Sequence, residues 1–150
     1  MNVTSPVPEV IQDAVGAMVL NDRDELLILF HKKLKMWSVP GGKVDPGETI
    51  LTAIDRELME ETGLPLVSAK QVATRPYEMQ NAYDISPSRL VLFECQVSDF
   101  NLLSNKEPEK HECFRWMNMN TILRLPRTML TDMAIEYYYR HDRINSLRYI

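Results

Sequence analysis

The sequence predicts an α/β domain, a mixed sheet covered by helices on both faces. Three observations predict it. Apolar, strand-like runs lie on both sides of one amphipathic helix at about residues 49–63, a second helical pattern comes near the end of the chain, and no repeat, linker or composition shift divides the 150 residues. With 45% apolar content, one core is enough to hold a chain of this length together.

Taken in order, residues 1–9 read as an N-terminal tail and residues 10–141 as the domain, with residues 142–150 as a C-terminal tail. Val10 to Leu20 is small and apolar, which suggests a buried strand, and Asn21-Asp22-Arg23-Asp24 is a turn signal. Leu26 to Lys33 fits a second strand, predicted to form a hairpin with the first. Gly41-Gly42 and Asp45-Pro46-Gly47 then punctuate a loop.

Thr49 suits a helix N-cap. Gly63 suits the left-handed position past the helix end, and Pro65 blocks continuation. Leu64 is then expected to fold back onto Met59. At 100° per residue Ile50, Leu51, Ile54 and Leu58 form the apolar arc of this helix.

Leu66 to Arg75 and Arg89 to Val97 are strand candidates, and Tyr77 to Ser88 between them reads as irregular, a loop over a pocket. Cys113 to Met117 suggests a short strand and Asn120 to Leu123 a helical turn. Pro126 to Arg140 carries Leu130, Met133, Ala134, Tyr137 and Tyr138 at helical spacing.

Composition excludes several functions. A net charge of −4 gives no bulk attraction to DNA, RNA or an anionic membrane. No apolar run approaches the ~20 residues of a membrane span, and the N-terminus lacks a signal-peptide pattern. The only two cysteines, Cys95 and Cys113, have no metal-ligand spacing and read as reduced thiols of a cytoplasmic protein.

Chemistry concentrates in the central helix. Glu57 and Glu61, four residues apart, lie along the edge of its apolar arc with Glu60 beside them. Like charges at this spacing repel, and crowding them toward the core adds a desolvation cost. Three glutamates alone would usually be a solvated acidic face. These border the core and follow a glycine loop, so the pattern instead suits a hard divalent cation such as Mg²⁺ or Mn²⁺, which takes oxygen ligands.

Gly42, five residues, Glu48, seven residues, then Arg56-Glu57-Leu58-Met59-Glu60-Glu61-Thr62-Gly63-Leu64 resembles the signature of the Nudix hydrolases, with every fixed position of the 23-residue pattern filled. Trp37-Ser38-Val39-Pro40-Gly41 is similar to the family's lead-in. The resemblance implies an α/β/α sandwich with a central mixed sheet. It also implies an enzyme that hydrolyses a nucleoside diphosphate linked to another moiety, by attack of water on phosphorus. Mg²⁺ is the expected cofactor, with Mn²⁺ as a substitute, and a small nucleotide is the expected partner. The family also admits a homodimer.

Carried over by position, the resemblance places Glu57, Glu60 and Glu61 at the metal and base positions. Which of them accepts the proton stays open; Glu57 is the preferred base, with Glu60 and Glu61 as the main ligands. Arg56 would orient the acids and Gly41 would offer a backbone carbonyl to metal. Gly42, Glu48 and Gly63 would serve the motif's structure.

Many family members add an acid from a later loop, for which Glu112 is the candidate, with a solvated charged loop as the competing reading of that segment. His31 and Lys33, next to Lys32, are candidates for phosphate contacts. Trp37 and Tyr83, with Phe30 and Tyr77, are candidates for stacking a base. Surface cations and core aromatics are the plainer readings of both sets.

The loop is not a phosphate-binding P-loop, because Gly42-Lys43 is followed by Val44 in place of Ser or Thr. Size and the Glu107-Pro108-Glu109-Lys110 stretch before Trp116 favour a small (d)NTP pyrophosphohydrolase that releases nucleoside monophosphate and pyrophosphate. An ADP-ribose, nucleotide-sugar or dinucleotide hydrolase is the runner-up, with RNA-cap hydrolysis left open. A domain that binds nucleotide without turnover is the alternative of another class.

Overall fold

The computed structural model describes residues 12–81 and 84–147. In chain order these form β1 (Gln12–Met18), β2 (Leu26–His31), β3 (Met36–Ser38), β4 (Gly41–Lys43), α1 (Ile50–Thr62), β5 (Leu66–Asn81), β6 (Asp84–Val97), β7 (His111–Met117), α2 (Met119–Ile122) and α3 (Met129–Leu147). A single turn of 3₁₀ helix spans Phe100–Leu102.

The strands make two sheets, one of order β4-β1-β6-β5 and one of order β3-β2-β7. The first is mixed, since β1 runs parallel to β6 and antiparallel to β4. Alternation along the strands divides the core between two helical layers. Val15, Ala17 and Val19 of β1 and the segment after it, with Val91, Phe93 and Cys95 of β6, pack with Ala53, Ile54 and Leu58 of α1. Their neighbours Met18, Leu90 and Leu92 pack on the other side with Met133, Ala134 and Ile135 of α3. The α/β/α sandwich is therefore present, with α1 and α3 on opposite faces.

Gly41-Gly42 lies in strand β4 and not in a loop, and the structure departs from sequence expectation in four further places. First, β1 and β2 do not form a hairpin. They meet only at a Leu20–Leu26 bridge and the bond from the Leu27 N–H to the Val19 carbonyl (3.0 Å), then enter different sheets. Second, the segment from Tyr77 to Ser88 is not an irregular loop. β5 and β6 continue as a long antiparallel hairpin, with Tyr77 opposite Ser88 and Asn81 opposite Asp84. Third, Leu51 leaves the apolar arc and is 53% exposed, while the buried α1 residues are Ala53, Ile54, Leu58, Glu61 and Thr62. Fourth, α3 continues to Leu147, past the Arg140 at which the apolar pattern stops.

Tyr83, the N-terminal tail 1–9 and residues 148–150 lie outside the described residues. No described helix is long and apolar enough to cross a membrane.

Candidate active site

Helix α1 is held at both ends by the residues expected to do so. The Thr49 side chain accepts from the Thr52 N–H at 3.1 Å. Gly63 adopts φ 73°, and its N–H closes onto the Met59 carbonyl at 2.9 Å. Leu64 is fully buried in the cluster that contains Leu58, and Met59 is 44% exposed, so the helix end is sealed against the core.

This fixed helix presents its acids at three depths. Glu61 is 5% exposed, the Glu57 side chain 13% and the Glu60 side chain 48%. Strand β4 closes over the two deeper ones. The Gly41 N–H donates to Glu61 Oε2 at 3.2 Å. A side chain on Gly42 would collide with the Glu57 carboxyl, its Cβ lying 2.6 Å from Cδ, so only glycine lets β4 pass this close. Gly41 needs glycine for another reason, because its Cβ would fall on the Val15 carbonyl of β1.

Arg56 gathers the remaining charge. Its Nε and Nη2 donate to the two Glu48 oxygens at 2.7 and 2.8 Å. Nη1 reaches Glu57 at 3.0 Å and Glu60 at 3.2 Å. Nη2 also meets the Lys43 carbonyl at 3.2 Å and lies 3.4 Å from Asp45. Glu48 in turn accepts from the Asp45 N–H at 3.0 Å. One guanidinium thus ties the loop to the helix and orients two acids.

The electrostatics follow from depth. Glu48, hydrogen-bonded by Arg56 and by a backbone N–H, is lowered to about 2. Arg56 is raised by the same bond. Burial raises Glu57, against the opposing pull of Arg56. Glu61 is raised to about 9, first by burial, then by the Glu57 charge and despite the Gly41 hydrogen bond. Glu107 adds repulsion to both.

These acids open into a cleft of about 400 Å³. Its floor is Gly41, Gly42, Glu57 and Glu61, with Lys43 and Asp45 beside them. The other lining residues are His31, Ser38, Val39, Lys110 and His111.

Of the residues singled out in the sequence, the structure brings Gly41, Gly42, Glu48, Arg56, Glu57, Glu60 and Glu61 into one network, and His31 lines the same cleft. Lys33 is exposed and does not line it. Trp37 packs edge-on against Phe30 at 5.1 Å and hydrogen-bonds α3's lead-in at Pro126 and Thr128, away from the cleft lining.

Glu112 does not line the cleft. It is exposed on β7, because strand alternation turns it away when its neighbour His111 turns in. Glu107, on the loop before β7, adds repulsion at Glu57 and Glu61, and its carboxylate holds Lys110 at 3.1 Å. Lys110 and His111 carry no sequence signal that separates them from the charged stretch around them.

Among the described residues no three carboxylate, imidazole or thiol groups already converge on one point. What converges is a pair of buried carboxyls with a third acid, Glu60, tethered alongside by Arg56. All the donors are oxygens, and burial raises both deep acids, Glu57 against the pull of Arg56. That chemistry fits a hard divalent cation.

Comparison with known proteins agrees with this geometry. Over 135 residues the chain is 44% identical to the RNA pyrophosphohydrolase of Erythrobacter litoralis, covering 76% of this chain and 80% of that protein. The crystal structure of the MutT NUDIX hydrolase from Burkholderia pseudomallei superposes with a TM-score of 0.68 at 26% identity, covering 84% of this chain and 96% of that one. A shorter match, 43% identical over 53 residues, joins 33% of the chain to the mouse 8-oxo-dGDP phosphatase NUDT18. The chain spans only 16% of that mouse protein and 31% of a Bacillus subtilis relative. The NUDIX domain model matches residues 10–137, and with the acid helix, the glycine strand and the arginine hub in place the chain belongs to the Nudix hydrolases.

Proposed function

We propose that the protein hydrolyses nucleoside triphosphates to nucleoside monophosphate and pyrophosphate. Nudix hydrolases generally need divalent metal ions, and relatives of this chain act on small nucleotide substrates. The observation that carries the reading is the buried Glu57–Glu61 pair, pressed against Gly41 and Gly42 on the floor of an open cleft.

Glu57, Glu60 and Glu61 would hold Mg²⁺, or Mn²⁺ in its place, with the Gly41 carbonyl as a further ligand. Glu107 takes the part first sought at Glu112. When bound, the cation would neutralise phosphate oxygens and ease loss of a proton from the attacking water.

Glu57 is the preferred base. It is deep enough for burial to raise its proton affinity, while Arg56 keeps its carboxyl in place. The water oxygen bonds to phosphorus, the bridging P–O bond breaks, and the departing phosphate oxygen takes the electron pair. Glu57 holds the water's proton. Arg56, fixed by Glu48, keeps the acids in register through the step. Cys95 and Cys113 are both free thiols, which supports a cytoplasmic setting.

A second reading is favoured by one observation. The Erythrobacter litoralis relative, 44% identical, is an RNA pyrophosphohydrolase, which makes an RNA 5′-triphosphate the competing substrate. The same bond would break.

The test is product release from a panel of (d)NTPs, a 5′-triphosphorylated oligoribonucleotide, dinucleotides and nucleotide sugars, with Mg²⁺, with Mn²⁺ and with chelator. Cation-dependent pyrophosphate release from free nucleotides supports the proposal. Turnover confined to RNA, or to sugars and dinucleotides, replaces its substrate, and binding without turnover replaces the enzyme reading.

A further inference from the structure

The cations around the cleft are not equally free. Arg56 is committed to the floor: Nε and Nη2 hold Glu48, Nη1 holds Glu57 and Glu60, and Nη2 also meets the Lys43 carbonyl. With every N–H of its fork engaged, it has no donor left for an incoming phosphate. The ammonium groups that line the cleft are those of Lys43 and Lys110.

These two enter from different sheets. Lys43 belongs to β4, the strand whose glycines press on Glu57 and Glu61, so it rises from the acid floor. Lys110 immediately precedes β7, a strand of the other sheet. Its root is fixed, because its N–H bonds the Glu107 carbonyl at 2.9 Å and its own carbonyl accepts the Lys32 N–H at 2.9 Å.

The tip of Lys110 is held as well, with Nζ donating to the Glu107 carboxylate at 3.1 Å. An ammonium has more donors than one carboxylate oxygen takes, and Lys110 Nζ has no other polar partner among the described residues. The pair is also lopsided, since the Glu107 side chain is 17% exposed and that of Lys110 59%. The anion is set into the protein, and the cation stands at the cleft with donors open. Glu107, with smaller additions from Glu57 and Glu61, raises this lysine, which stays charged throughout the neutral range.

A nucleoside triphosphate is not evenly charged. Its terminal phosphate carries more charge than the phosphate joined to the nucleoside, and acids nearby repel both. The floor acids, through the divalent ion they would hold, serve the bond that breaks. Charge at the far end of the chain needs a second positive group, off the floor and with donors to spare. Lys110 meets that description and Arg56 does not.

We propose that Lys110, held by Glu107, binds the terminal phosphates of the substrate, the part released as pyrophosphate. The inference rests on the nucleoside triphosphate reading above and deepens it. The substrate is then gripped by its far end as well as at its scissile bond.

The test uses the full chain at fixed Mg²⁺, with a nucleoside triphosphate as substrate. Two product inhibitors serve as probes, inorganic pyrophosphate and the matching nucleoside monophosphate. Lys110→Met keeps the apolar stem and removes the charge. It should raise the inhibition constant of pyrophosphate about tenfold, the scale of one lost charged hydrogen bond. KM for the triphosphate should rise by a similar factor, with inhibition by the monophosphate unchanged. Lys110→Arg, which keeps a cation, should recover part of the loss. Calorimetric Mn²⁺ binding to the nucleotide-free protein should be no weaker in Lys110→Met.

Unchanged pyrophosphate inhibition in Lys110→Met overturns the assignment. So does an equal loss for both products, which would mean a diffuse field and not a contact, or weakened Mn²⁺ binding, which would mean that the lysine acts through the acids. An Arg variant no better than Met has the same force. A wild-type protein that releases no pyrophosphate from triphosphates removes the proposed function along with this inference. An active wild type with an unaltered Met variant removes the inference alone.

Discussion

Glu48 and Arg56 meet as a two-pronged pair, Nε to Oε2 at 2.7 Å and Nη2 to Oε1 at 2.8 Å. The planar fork leaves Nη1 free to hold Glu57 and Glu60 together. A lysine cannot span these contacts from one rigid plane. Arg56→Lys should therefore lower kcat by about 10–100-fold, the usual scale for a lost positioning partner, with little change in Tm. Steady-state kinetics beside a thermal melt would show it, and near-normal turnover would remove Arg56 from the working site.

The depth of Glu61 makes a pH prediction. Its folded-state value is about 9 against an ordinary 4.5, so the unfolded chain loses this proton at lower pH than the folded one. Without metal, the stability contributed by this site is fully present below about pH 4.5 and is lost as pH rises towards about 9. Melts in chelator should show Tm declining across that window and a flatter profile for Glu61→Gln. At neutral pH, Mg²⁺ binding should release protons. An equal slope in the variant would mean that another group titrates.

The two glycines of β4 should fail differently. Gly41→Ala drives a methyl into the backbone of β1, and a drop in Tm of roughly 5 °C or more is expected. Gly42→Ala meets only the movable end of Glu57. Its melt should shift less, while displacement of that carboxylate costs turnover about 10–100-fold.

Charge removal should rank the acids by place. Glu60→Gln and Glu61→Gln keep size and helix propensity, and each should cut turnover about 100-fold or more with folding intact. Glu107→Gln should cost about tenfold, and the exposed Glu112→Gln should stay within about twofold. A larger loss at Glu112 than at Glu107 would reverse the placement of the later acid.

What could be read from sequence was what neighbours in the chain decide. Thr49, Gly63 and Pro65 fix α1 by local backbone chemistry, and the spacing of Glu57 and Glu61 places both on one side of a helix. Pairing between distant strands was not legible in the same way. A short apolar run such as Leu26 to Phe30 suits any partner, so its departure into the β3-β2-β7 sheet could not be told from a hairpin with β1.

Tyr77 to Ser88 read as irregular, and Pro76 and Pro87 both fall in the β5–β6 hairpin that replaces it. Yet β5 is an edge strand, where a missing N–H is tolerated. Pro87 lies one residue before the β1–β6 ladder begins at the Gln12–Ser88 pair. The direction in which Glu112 points depends likewise on the register of β7 with β2, and composition does not encode it.

The parallel pairing of β1 with β6 joins Asp13 to Arg89, 76 positions apart, and an ion pair at 2.7 Å repeats the link in side chains. A ribosome makes the N-terminal strand first and must complete most of β6 before that strand gains its central neighbour. Joining such distant segments is slow and costly in loop entropy. The acid helix is synthesised early, but Glu107 and the histidine of β7 emerge later still. A nascent chain therefore carries the signature helix before the strand that completes the cleft around it.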